Sequence, residues 1–394
     1  MAIQHFRYLI VGGGMTAAAA VRGIREADPR GSIGLVGAEP HAPYNRPPLS
    51  KGLWKGDPET GIWLDLGTSG ADLVLGRRIR QIDPAGKRVT DDRGIQYAYD
   101  RLLLATGGSP RRLPFGGDRI IYYRFLDDYR RLRESTGPGK RFAVIGGGFI
   151  GAEIAAALAM NRQAVAMAFP EEGIGWRVFP RDLSLFLNEY FRGRGVDVRP
   201  GAAVDGLSAQ DGTMTVRLAG GGEIPADGVV AGIGIQPDVE LARDAGLAVD
   251  NGIVVDETLQ TSQPDIYAAG DVAAFPSAAL GRRVRVEHED AARTMGAAAG
   301  RAMAGQPAPY RHLPSFYSDL FDLGYEAVGL LDSRLDTVAD WKEPFREGVV
   351  YYLEAGRVRG VLLWNVWGQV DAARHLIESA DLFEPGDLRG RLPA

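Results

Sequence analysis

The sequence predicts an α/β protein made of two doubly wound units followed by a small C-terminal α+β domain. Three observations carry this. An apolar strand, a glycine turn and a small-residue helix occur in series at residues 7–27 and again at 141–162. A second short apolar strand follows each copy, at 33–36 and 165–169. The tail changes character, with two strand-like runs and one helix in place of a third copy. Two βαβ openings in one chain imply two sheets with parallel strands and helices on their faces. The length of 394 residues suits two or three domains.

Taken in order, Arg7-Tyr8-Leu9-Ile10-Val11 reads as the first strand and runs into Gly12-Gly13-Gly14. Residues 40–76 are rich in proline and glycine and read as loop with short helices. Residues 77–104 read as strands and end in Leu102-Leu103-Leu104. The basic run Arg130, Arg131, Arg133 falls in a helical segment and reads as a solvated face. Residues 196–235 alternate as strands, the chain turns at 232–237, and 252–268 return to the first unit. Residues 348–353 and 358–364 flank Glu354-Ala355-Gly356-Arg357 as a hairpin, and a helix follows from about 370 to 380. The expected division is 1–120 with 236–312, then 121–235, then 313–394.

Composition excludes several classes. The net charge is −5, with 45% hydrophobic and 24% charged residues, an ordinary globular profile that gives no reason to expect nucleic acid or an anionic membrane as partner. There is no cysteine, which excludes a disulfide, a thiolate metal site and a dithiol redox relay. The five histidines lie far apart, so no metal site is expected. The most apolar window, 142–160, contains three consecutive glycines and Glu153, unlike a membrane span. No signal pattern opens the chain, and a cytoplasmic location is expected.

Gly12-x-Gly14-x-x-Ala17 and Gly146-x-Gly148-x-x-Gly151 are phosphate turns. The first glycine permits the tight turn, the second lets a pyrophosphate approach the backbone, and the small third residue lets helix and strand pack closely. Each helix N-terminus then faces the anion. The two units therefore read as Rossmann-like dinucleotide-binding domains. Each motif has an acid near the end of its next strand, Glu39 and Glu171. Such a carboxylate accepts ribose hydroxyls and repels a 2′-phosphate by roughly 3 kcal/mol per unit charge at ~5 Å and an effective dielectric of about 20. Glu171 thus favours NADH, and Arg177 six residues on softens that preference; the competing reading of either acid is a solvated loop carboxylate. Superposing the two motifs places Glu153 where the first helix has Ala19. A buried acid there needs a partner; its competing reading is a helix-surface acid.

Together with Thr106-Gly107-Gly108 and the phrase from Thr261 to Gly270-Asp271, these motifs resemble the two-dinucleotide flavoprotein reductases. Pro43-Tyr44-Asn45-Arg46-Pro47-Pro48-Leu49-Ser50-Lys51 resembles a flavin-proximal loop of ferredoxin reductases and of apoptosis-inducing factor. Leu280-Gly281-Arg282-Arg283, Arg285-Val286-Glu287-His288, Phe169-Pro170-Glu171, Ser318-Asp319-Leu320, Gly324-Tyr325-Glu326-Ala327 and Leu363-Trp364-Asn365-Val366 resemble the latter more closely. The resemblance implies FAD in the first unit, 1–120 with 236–312, and NADH in 121–235. It implies that Lys51 and Glu153 pair beside flavin N5, with His288 against the isoalloxazine and Asp271 on the ribityl chain. Arg46 and Arg111 are implied to contact FAD, Phe149 to cover the nicotinamide, and Gly234 and Glu171 to line the NADH site. Thr106, Gly107, Glu287 and Tyr317 complete the implied cofactor set, Tyr317 standing where the family usually has Trp.

The resulting expectation is an FAD-dependent NADH oxidoreductase. Hydride passes from nicotinamide to flavin and electrons leave, without a cysteine relay, for a ferredoxin, a rubredoxin, a quinone or oxygen. Two alternatives stand beside it: an NADH-dependent ferredoxin or rubredoxin reductase, and an NADH-sensing module whose oligomeric state, a homodimer among the options, responds to reduction. The short link from 338 to 348, the lack of room for an inserted hairpin after Trp54 and the absence of a targeting region before the first strand argue against redox-controlled loop release and death signalling.

Overall fold

The computed structural model describes residues 3–210, 212–379 and 381–393. The chain packs into two units, one of Met1–Asn45, Glu59–Ser109 and Gln236–Pro314, the other of Arg46–Pro58, Pro110–Ile235 and Ser315–Ala394.

In the first unit Gln4–Val11 lies between Ile33–Val36 and Gln96–Leu104, parallel to both, with Leu9 opposite Gly34 and Leu102. Ala71–Val74 extends the sheet past Ile33–Val36, Arg88–Asp91 and Ile79–Asp83 close the other side, and Ile266–Ala268 also pairs with Gln96–Leu104. Central strands covered on both faces read as continuous apolar runs, and Leu9, Ile10, Leu102 and Leu103 are fully buried. The helix Met15–Ala27 packs along Glu289–Met303. Their backbones meet at glycines: a Cβ on Gly296 would land on the Thr16 carbonyl oxygen, and one on Gly300 on that of Ala20.

In the second unit a five-stranded parallel sheet runs Val196–Pro200, Ala164–Phe169, Arg141–Ile145, Gly228–Ala231, Ile120–Tyr122. Helix Phe149–Met160 follows its glycine turn, and Val204–Gln210, Thr213–Leu218 and Glu223–Ala226 form an antiparallel appendage. The C-terminal part is a five-stranded antiparallel sheet, Ser315–Leu320, Leu323–Gly329, Arg357–Trp364, Glu347–Glu354 and Asp336–Glu343, with helix Val370–Glu378 against it. The expected end of that helix at residue 380 lies outside the described residues. The link from 338 to 348 is part of a hairpin, with Asp336–Glu343 and Glu347–Glu354 paired antiparallel and the turn at residues 344–346.

Two differences from expectation have physical causes. The boundary drawn at residue 120 falls at the start of Ile120–Tyr122, which pairs with Gly228–Ala231 in the second sheet; three residues are too few to show a period. Residues 46–58 pack with the second unit, not the first, through donors that periodicity does not register. Trp54 Nε1 donates to the Leu49 carbonyl at 2.8 Å, the Tyr123 hydroxyl donates to the same oxygen, and Asn161 Nδ2 donates to the Trp54 carbonyl at 3.1 Å. The tail clusters with the second unit, and its sheet and helix make up the small C-terminal α+β domain that the sequence predicts. Among the described residues no helix is long and apolar enough to cross a membrane.

The glycine contact between Met15–Ala27 and Glu289–Met303 is testable. Alanine is the better helix former by about 1 kcal/mol, yet Gly300→Ala should destabilise the protein by about 1–3 kcal/mol through overpacking, read as a lower denaturation midpoint.

Candidate active site

The two phosphate turns have the geometry their glycines call for. Gly12 and Gly146 have φ of 133° and 111°, and a Cβ on them would strike the carbonyls of Ala105 and Gly232. At the third motif position, a Cβ on Gly151 would strike the Gly146 carbonyl, whereas Ala17 keeps its methyl and is fully buried. The following helices are capped by Gly14 and Gly148 in extended backbone, with no side-chain cap and no acid in the first turn. The first N–H groups and the positive dipole end of each helix are thus left to an anion. The space where Gly148 would carry a Cβ is open. These cradles fit the pyrophosphates of FAD and of a nicotinamide dinucleotide.

The acids after the next strands differ. Tyr44, almost fully buried, donates its hydroxyl to Glu39 Oε2 at 2.6 Å and meets Trp63 edge-on at 6.0 Å. Glu171 Oε1 is met by Arg177 Nη2 at 2.9 Å.

The chemically distinctive cluster surrounds Glu153, which is 4% exposed on a helix whose neighbours are alanine, isoleucine and leucine. Lys51 Nζ lies 2.8 Å from Glu153 Oε1, its side chain only 11% exposed. Ser318 donates to Oε1 at 2.5 Å and Ser50 donates to Oε2. The carboxylate therefore has three donors, as a buried charge requires. The Lys51 ammonium also lies 5.2 Å from the centre of the Tyr317 ring. Tyr325, fully buried beneath and stacked on Trp364 at 5.5 Å, has its hydroxyl pushed well above the ordinary tyrosine range, by desolvation first and by the Glu153 charge second. Phe149 and Tyr317 are both exposed, and Phe149 touches Phe316 at 5.4 Å.

The remaining expected residues take these places. Arg46 Nη1 donates to the Arg124 carbonyl at 3.4 Å and its guanidinium lies over Phe125. The Arg111 backbone N–H donates to the Gly234 carbonyl at 2.9 Å. In the first unit Thr106 Oγ1 donates to the Asp238 carbonyl, and the Asp238 N–H donates to that of Gly107. Arg285 Nη1 joins the Asp271 carbonyl at 3.1 Å to the Glu287 carboxylate at 2.9 Å. His288 caps helix Glu289–Met303. Desolvation pushes its imidazole down to about 4 against the opposing charges of Asp271 and Asp290, so it is neutral at pH 7. Lys51, Glu153 and Tyr317 thus form one cluster, while Glu171, Arg111 with Gly234, and Arg46 lie in others. Sequence reasoning assigned no role to Ser50, Ser318, Tyr44 or Arg285. For Ser318 a signal exists, since it shares a strand face with the buried Leu320.

The model of the pyridine nucleotide-disulphide oxidoreductase family matches residues 6–296. The chain belongs to that family. It is an oxidoreductase that works with FAD and NAD(H), and with no cysteine it has no counterpart of the family's disulphide. The model of the C-terminal part of mitochondrion-associated apoptosis-inducing factor matches residues 299–344 and 339–379. The chain is 34% identical to apoptosis-inducing factor 1, mitochondrial, of Dictyostelium discoideum, over 95% of this chain and 79% of that protein. It is 37% identical to the ferredoxin reductase subunit of a 5,5′-dehydrodivanillate O-demethylase from Sphingobium sp., over 90% and 89%. Among solved structures it resembles putidaredoxin reductase in a covalent complex with putidaredoxin, with a TM-score of 0.90, 32% identity and 98% and 96% coverage.

Removing one partner of the buried pair should cost more than removing both. Lys51→Met and Glu153→Leu should each destabilise by about 3–5 kcal/mol, and the double variant by less than either single variant, as a denaturant double-mutant cycle would show. The lowered His288 pKa means that only the unfolded state binds its proton between pH 6.5 and about 4. Stability should therefore fall as pH drops through that window, by at most about 3 kcal/mol. His288→Asn should remove this contribution, measured as denaturation midpoint against pH.

Proposed function

We propose that this protein takes hydride from NADH onto FAD and passes the electrons to a ferredoxin-type iron–sulfur protein. The observation that carries the reading is the buried Lys51–Glu153 pair: Glu153 stands on the helix that begins at the second phosphate turn, and Ser50 and Ser318 from other segments donate to it. A hydrophobic pair of similar volume would serve the fold as well or better, so the retained charges point to chemistry.

In this reading the first unit holds FAD, with Glu39 on the adenosine ribose, Asp271 on the ribityl chain, and Thr106, Gly107 and Glu287 along the cofactor. The turn at 146–151 holds the NADH pyrophosphate, Glu171 its ribose, and Gly234 lines the same site. The flavin supplies hydride acceptance at its N5. Lys51 offers its ammonium to the negative charge gained on reduction, and Glu153 sets where that ammonium stands. Phe149 and Tyr317 give aromatic faces that keep water from the nicotinamide, and Arg46 and Arg111 bind FAD. His288, uncharged at neutral pH, packs against the ring without adding charge.

The absence of cysteine sends electrons outward. Similarity to two ferredoxin-type reductases over nine-tenths of the chain or more favours a small iron–sulfur acceptor. The match of the tail to apoptosis-inducing factor favours a second reading, an NADH-sensing module whose reduction alters a homodimer.

Anaerobic stopped-flow reduction by NADH tests the first reading. Lys51→Ala should slow flavin reduction by about tenfold or more, and an unchanged trace would remove the lysine from the mechanism. Adding ferredoxin should speed reoxidation over oxygen alone; no acceleration by ferredoxin or rubredoxin would refute the acceptor assignment.

A further inference from the structure

Ser318 stands where two buried hydrogen bonds meet. It lies on Ser315–Leu320, directly opposite Tyr325 on Leu323–Gly329, and is 2% exposed. Its hydroxyl donates to Glu153 Oε1 at 2.5 Å, the same oxygen that Lys51 Nζ meets at 2.8 Å. The Tyr325 hydroxyl is hydrogen-bonded to Ser318 in turn. A serine has one proton to give, and the carboxylate takes it, so the tyrosine is the donor of the second bond. Desolvation first, and the Glu153 charge second, hold that phenol well above the ordinary tyrosine range, so it keeps its proton at neutral pH. The result is a chain with one direction, from Tyr325 to Ser318 to Glu153. Bonds in such a chain polarise one another, and a low dielectric strengthens them.

The chain ends on an oxygen that a cation shares. A hydroxyl donating to Oε1 takes up part of the carboxylate's negative charge, and Lys51 is not called on to neutralise that part. Ser50 acts in the same way at Oε2, but it is the chain neighbour of Lys51, whereas Ser318 comes from the C-terminal sheet. Packing alone gives no reason for the phenol. A phenylalanine at 325 would fill the same stack on Trp364, and only the hydroxyl reaches Ser318.

We infer that Ser318, backed by Tyr325, is a positioning residue that raises the reduction potential of the bound flavin. By blunting Glu153 it leaves more of the Lys51 charge to favour the reduced ring. The inference rests on the reading that Lys51 offers its ammonium to the ring that gains charge, and it adds that the C-terminal sheet sets how strong that offer is. No proton moves along the chain. Tyr325, Ser318, Glu153 and Lys51 keep the same protonation before and after hydride arrives, and the hydroxyl dipoles alone do the tuning.

Anaerobic redox titration of the FAD-loaded protein tests it, with the flavin midpoint potential as the readout, which a loss of stability by itself does not move. Ser318→Ala should shift the flavin equilibrium toward the oxidised form by about threefold to tenfold, a potential about 15–30 mV lower for a two-electron couple. Ser318→Thr, which keeps the hydroxyl, should return the potential to the wild-type value. Tyr325→Phe, which keeps the ring on Trp364, should lower it by a smaller factor. In a Glu153→Gln background Ser318→Ala should have no effect, because no carboxylate charge is left to blunt. Lys51→Ala should also lower the potential. If Lys51→Ala does so while Ser318→Ala leaves the potential in place or raises it, the role of Ser318 is overturned and the reading of Lys51 stands. If Lys51→Ala leaves the potential unaltered, the reading of Lys51 falls and the inference with it.

Discussion

A carboxylate placed on a helix of alanine, isoleucine and leucine makes a demand on everything near it. Left alone at 4% exposure, Glu153 would cost several kcal/mol or take up a proton. The second unit answers with Lys51 and Ser50 from the strap of residues 46–58 and Ser318 from the C-terminal sheet. Three segments distant in sequence are thus brought to one carboxylate. The strap and the tail belong to the second unit's packing for the same reason that Glu153 is tolerated there.

In the proposed reading, helix ends and side-chain charges of the same unit divide the work of holding a dinucleotide. Backbone N–H groups at Gly148 meet an anion without any side chain, so the turn adds no group whose protonation varies with pH. Charge is carried instead by side chains, Glu171 beside Arg177 and Glu153 beside Lys51; in the proposed reading Glu171 meets the ribose and Lys51 the ring that gains charge. In the first unit, desolvation keeps His288 neutral at pH 7.

Much of this was legible in the amino-acid order, and the limits are physical. The two phosphate turns announce themselves because only glycine tolerates the backbone of Gly12 and Gly146 and the approach of Ala105 and Gly232. Glu153 stands out because the internal repeat supplies its own control, Ala19. The helices Arg181–Gly193 and Glu289–Met303 drew no expectation; the second is rich in alanine and glycine, whose role as a contact surface depends on a partner helix far away in sequence. The edge strand Ala71–Val74 has a largely exposed pattern and is defined only by pairing with Ile33–Val36. Ser50 and Ser318 were visible as letters, but the direction of a hydroxyl is set by tertiary packing alone.

The strap that carries Lys51 is fastened from both sides of its backbone. Its carbonyls at Leu49 and Trp54 are gripped by Tyr123 and Asn161, and its own Ser50 and Lys51 reach Glu153 while Leu49, Leu53 and Trp54 are buried. The exposed end beyond Lys55 carries none of these ties, so a designer, or evolution, can rewrite that stretch of surface while the ammonium stays put.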